Sequence, residues 1–178
     1  MIGVYGVLFC HVDISGVVRV FIEVVRFPVF GGWRGVHGNS MVARIWGIIV
    51  DEYGEKVDVW LINPNGELLF GLKFEDKYVF ENADVNSKVP GVAFVEWGFG
   101  DMVFSFGVKN PPGGAMLQAI QAARSQILTA TKTNKIFFLN SVNADNVVDM
   151  IKEGVMIGAA SEKAAETGRQ YTKRTLPW

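Results

Sequence analysis

Arg34 and His37 stand in the run Gly31-Gly32-Trp33-Arg34-Gly35-Val36-His37-Gly38-Asn39-Ser40, where residue types suggest chemistry most directly. Glycines let backbone amides approach an anion, a guanidinium adds fixed positive charge, and an imidazole adds a proton that moves near neutrality. Arg34 and His37 are therefore the candidate ligand- or anion-binding residues. The spacing is not that of a P-loop, because no Gly-Lys-Ser/Thr follows, and no strand–turn–helix pattern frames a dinucleotide fingerprint. The same residues also suit a connecting loop or an arm that touches a neighbouring subunit.

Other reactive side chains are sparse. His11 follows Cys10 in an apolar strand candidate, where adjacent residues point to opposite faces, so the two do not form a nucleophile pair. Cys10 is the only cysteine and His11 and His37 the only histidines, which excludes an intrachain disulfide and a Cys- or His-rich metal site. Asp51, Glu52 and Glu55 share one turn, and Glu96 and Asp101 flank another. Either group could attract magnesium or calcium, but neither has EF-hand spacing. No nucleophile elbow, zincin motif or kinase signature occurs. No catalytic residue, metal or cofactor is assigned on this basis.

A stripe of small residues points to close packing. Val147, Ile151, Gly154, Gly158, Ser161, Ala165, Gly168 and Thr172 fall on one face if 147–172 is a single helix. Such a seam lets another backbone come close, within the chain or in a second copy. Trp33 and Trp178 are further candidate interface anchors.

The elements that must carry these residues divide near Asn110-Pro111-Pro112-Gly113-Gly114. Before that point the pattern reads as period two with short turns. Met1–Val12, Val18–Val25, Met41–Val50, Val57–Ile62, Glu67–Phe74, Val92–Trp97 and Met102–Val108 are strand candidates. After it come a weakly charged helix over 115–129, a short strand over Ile136–Leu139 and the long C-terminal helix. The expected fold is α+β: a mainly antiparallel β-barrel or sandwich over residues 1–110, followed by helix, strand and long helix, in one domain spanning 1–178.

Composition bounds the function. Apolar residues make up 49% and charged residues 20% of 178, so either the core is large or surface is hidden between subunits. The net charge of −1 argues against a general nucleic-acid binder. It is uneven, with nine Lys/Arg against thirteen Asp/Glu in 1–110 and eight against five in 111–178. No signal peptide or membrane-length apolar run appears, which suggests an intracellular protein with no membrane partner.

These features lead to the expectation of a non-catalytic, self-associating structural subunit of a ring, tube, shell or filament, viral building blocks included. The alternative is a small-ligand or anion-binding protein or enzyme that uses the Gly31–Ser40 loop. An adaptor using the basic C-terminal end is a third reading.

Overall fold

Five strands form one sheet in the order β1 (Gly6–Phe9), β2 (Leu69–Phe74), β3 (Val92–Trp97), β4 (Phe137–Val142) and β5 (Ile157–Ala160). Every neighbouring pair is parallel. The computed structural model describes residues 4–108 and 113–174. Parallel neighbours need long crossovers, and helices supply them. The first crossover holds α1 (Ser15–Val25), α2 (Asn39–Ile45) and α3 (Val50–Lys56), and the second α4 (Lys77–Glu81) and α5 (Ala83–Ser87). The third holds α6 (Phe99–Ser105) and α7 (Gly114–Asn134), and the fourth α8 (Val147–Glu153), while α9 (Glu162–Thr172) follows β5.

The expected mainly antiparallel barrel or sandwich over 1–110 is therefore corrected. The first error is at α1. Val18, Ile22 and Val25 are buried at i, i+4 and i+7, whereas Val17, Val20 and Val24 are 48%, 47% and 45% exposed. A valine-rich run satisfies period two and period 3.6 alike, and tertiary packing chooses between them. Here the Phe21 ring stacks on Phe9 at 4.0 Å and tilts against Phe70 at 5.8 Å, which holds the helix against β1 and β2. Met41–Val50 similarly becomes α2 with a turn, and Met102–Val108 becomes α6 with a turn.

The long C-terminal helix is also corrected, and its seam dissolves into separate roles. Gly154 is the left-handed C-cap of α8 and Ser161 the N-cap of α9, its hydroxyl accepting from the Ala164 amide. Gly158 lies in β5, where an added Cβ would stand 2.9 Å from a Val142 methyl. Ala165 and Gly168 belong to α9, and Gly168 lets that helix close on Val147 and Ile151 of α8. Trp178 lies outside the described residues.

One face of the sheet makes the main core. Phe70, Leu72, Phe74, Val95, Trp97 and Phe138 pack against Val18, Ile22, Met102, Ile120 and Ile127. Full burial of each such side chain contributes about 1.5–3 kcal/mol. A second cluster of Phe27, Val42, Trp46, Tyr53 and Val57 sits at the N-terminal end of the strands, where Tyr5 stacks on Trp46 at 4.2 Å. Among the described residues, no helix is long and apolar enough to cross a membrane.

Candidate active site

Where β2 ends, the sequence runs Leu72-Lys73-Phe74-Glu75-Asp76. Leu72 and Phe74 enter the main core, so Lys73 and Glu75 share the opposite side. The Lys73 ammonium lies 2.5 Å from Glu75 Oε2 and 3.2 Å from Asp101 Oδ2. Glu75 is nearly buried at 2% exposure, and Asp101 is open at 61%. Gly98 closes the packing from the side: a Cβ there would stand 2.6 Å from Glu75 Cβ and 3.0 Å from Lys73 Cε. His11, at the end of β1, turns into the left-handed region at φ 52° and places Nε2 3.4 Å from Glu75 Oε1 and Nδ1 3.8 Å from Asp76 Oδ2. A histidine with positive φ is uncommon, and such backbone clusters at functional sites.

Lys73 and Glu96 are register partners on β2 and β3. Both face a cleft of about 730 Å³ at the C-terminal ends of β3 and β4, together with Asp101, Arg124, Asn140 and Ser141. Arg124 makes two hydrogen bonds to Glu153, at 2.6 and 2.8 Å, and lies over the Phe138 ring. Asn140 is 9% exposed; its amide donates to the Ser141 carbonyl, and its buried Oδ1 has no protein partner. An orphaned buried acceptor beside a cleft is suited to receive a ligand's hydroxyl.

Electrostatics separates the carboxyls. Burial pushes Glu96 above the ordinary glutamate value; Lys73 pulls it back and Glu75 adds to the rise. Asp101 lies below the usual range because Lys73 donates to it. Hydrogen bonding to Glu75, reinforced by Asp101, raises Lys73 well above an ordinary lysine despite its partial burial, so it is a permanent ammonium. Burial, followed by Glu75, pushes the Cys10 thiol up. A carboxyl raised above its ordinary value beside a fixed cation can move protons next to a developing oxyanion.

The residues singled out in the sequence lie elsewhere. Arg34 donates to the Tyr53 hydroxyl at 2.7 Å and stacks over Phe27 at 4.6 Å, in the cluster at the other end of the strands. His37 is exposed before α2, and among the described residues no hydrogen bond joins it to Arg34. The loop's glycines serve local packing: Gly32 runs against the end of α1, where a Cβ would meet the Arg26 carbonyl oxygen at 2.2 Å. Trp33 is 65% exposed. Asp51, Glu52 and Glu55 lie on α3, away from Glu96 and Asp101. Sequence reasoning saw Glu96 and Asp101 but missed Lys73, Glu75, Asn140 and Arg124. The available signal was a polar residue near the ends of the apolar strands β2, β3 and β4, and none marked Arg124.

Neither the protein-family models nor the curated sequences match this chain. Solved structures do share its fold. An HpcH/HpaI aldolase/citrate lyase family protein from Burkholderia cenocepacia J2315 superposes with a TM-score of 0.70 at 16% identity, over 95% of this chain and 64% of that one. An HpcH/HpaI aldolase from Desulfitobacterium hafniense DCB-2 gives 0.65 at 18% identity, over 97% and 65%. The citrate lyase beta subunit from M. tuberculosis, solved with oxaloacetate and magnesium, gives 0.51 at 14% identity, over 60% and 53%.

The fold is thus the curled, parallel half-barrel of the aldolase and citrate lyase structures, and this chain spans less than two thirds of the length of these three. The expectation of a non-catalytic, viral-type structural subunit is overturned with the architecture that carried it. Among the described residues neither the antiparallel barrel nor the continuous helix seam exists, and the fold is the one shared with the aldolase and citrate lyase family structures.

Proposed function

We propose that this chain belongs to an enzyme that binds a small oxo-acid in the cleft over β3 and β4 and makes or breaks a carbon–carbon bond next to the substrate carbonyl. The observation that carries this reading is the pairing of Lys73 and Glu96 on adjacent strands at the C-terminal end of a parallel sheet. Active sites of parallel barrels and open α/β sheets lie at that end. The oxaloacetate held by the citrate lyase beta subunit supports the substrate class.

An ammonium has three N–H donors. Those of Lys73 reach Glu75 and Asp101, which leaves one for a substrate carbonyl oxygen. Glu96 takes the proton from the adjacent carbon, the electron pair moves onto that oxygen, and Lys73 stabilises the resulting enolate. The enolate carbon then bonds to an acceptor carbonyl carbon, whose π electrons move onto its oxygen and take the proton held by Glu96, or the reverse sequence cleaves the bond. Asn140 Oδ1 accepts the hydroxyl of the aldol. Incubation with oxaloacetate or pyruvate and a short aldehyde, followed by proton NMR, tests the reading. Aldol product or exchange of the carbon-bound protons with solvent is expected, with loss in Glu96→Gln. Neither signal in wild type would contradict it.

A second reading keeps Arg34 and His37 as an anion contact, because Arg34 Nη1 is buried without a partner. Self-association belongs to the main proposal, with exposed Trp33 as a contact residue.

A further inference from the structure

We infer that Lys73 is a built-in cation standing where a divalent metal would sit between Glu75 and Asp101, so that this cleft holds its oxo-acid without a metal ion; this rests on reading the cleft as the reaction site. The citrate lyase beta subunit of the same fold was solved with magnesium beside its oxaloacetate. The donor set here does not fit such an ion. Among the described residues, no three His, Cys, Asp or Glu side chains converge there, and the two carboxylates that share one position already hold a cation. Magnesium demands oxygen ligands at about 2.0–2.1 Å in an octahedron. Glu75 Oε2 and Asp101 Oδ2 instead hold one ammonium at 2.5 and 3.2 Å, and a second cation at the same oxygens would sit against its positive charge.

The ammonium is fixed in place. Gly98 packs without a side chain against both the Lys73 stem and Glu75. The second Glu75 oxygen faces His11 Nε2 at 3.4 Å, so both oxygens of this carboxylate have a polar neighbour. What a metal would contribute to carbonyl polarisation, the remaining N–H of Lys73 contributes from the cleft wall.

The test uses manganese chloride and oxaloacetate as probes on the whole chain. Calorimetry of the wild type is expected to give oxaloacetate affinity unchanged within about twofold by EDTA, and no saturable manganese binding below about millimolar concentrations. Lys73→Met is expected to gain manganese affinity by about tenfold or more, and Lys73→Met/Glu75→Gln to lose the gain. Manganese binding by the wild type that Glu75→Gln removes, a tenfold fall in oxaloacetate affinity on adding EDTA, or a folded Lys73→Met without new manganese affinity would each overturn the assignment. If Lys73→Met does not fold, the wild-type measurements decide alone. A wild type that binds neither probe defeats the oxo-acid reading and not the metal-free site.

Discussion

Substituting Lys73 by methionine strands a buried carboxylate, and the cost can be worked from the geometry. Glu75 is 2% exposed and its partner Lys73 22%. Breaking a buried ion pair by removing one member costs about 3–5 kcal/mol. Partial exposure of Lys73 screens this, and the 61% exposed Asp101 adds about 0–1 kcal/mol. Lys73→Met is therefore expected to lose about 2–4 kcal/mol. At about 2–4 °C per kcal/mol for a chain of this size, the melting temperature falls by about 4–16 °C. Glu75→Gln keeps the ammonium beside Asp101 and costs about 1–2 kcal/mol. The double variant leaves no buried charge unpaired, so it should recover at least half of the Lys73→Met loss, a coupling of about 2–4 kcal/mol. Urea unfolding near pH 7 with all four proteins measures the cycle. Losses that add to within about 0.5 kcal/mol, or a Lys73→Met protein as stable as wild type, would refute the reasoning.

Two further outcomes follow from other charged groups. The Asp58 carboxylate is fully buried and takes two hydrogen bonds from Arg26, at 2.6 and 2.8 Å, so Asp58→Ala should cost about 3–5 kcal/mol in chemical unfolding; a loss below about 1 kcal/mol would mean that the pair is dispensable. Burial raises Glu96 above its ordinary 4.5, so the folded chain holds that proton more tightly than the unfolded one and stability falls as pH climbs from 4.5 through the raised value. Glu96→Gln, neutral throughout, should melt higher than wild type near pH 7, with the gap closing below pH 4.5. A gap that widens on acidification would reverse the sign and contradict the assignment.

Some elements were legible because local signals agreed. Val92–Trp97 stands between Pro90-Gly91 and Gly98, and β3 has those bounds. The apolar stripe of Ile120, Ala123 and Ile127 marks α7 and is buried. Pairing direction was not legible, because a buried apolar run looks alike in parallel and antiparallel sheets. Val17–Val25 hid a helix inside β-branched residues. Gly154, Gly158 and Gly168 aligned on a helical wheel while belonging to a cap, a strand and a helix. Lys73 and Asp101 lie 28 residues apart and meet only because β2 and β3 are parallel neighbours. Glycine content drew attention to Arg34 and His37, yet that loop joins elements at the opposite end of the strands from the cleft.

Calorimetric titration of the whole chain with the hydroxyl-bearing aldol of pyruvate and a short aldehyde, for wild type, Asn140→Ala and Arg34→Ala, addresses the cleft most directly. Asn140→Ala removes the orphaned acceptor and should weaken binding about tenfold, equivalent to about 1.4 kcal/mol, while Arg34→Ala leaves affinity unchanged. No binding by wild type, or binding lost in Arg34→Ala and kept in Asn140→Ala, would contradict the placement of the site at the C-terminal ends of β3 and β4.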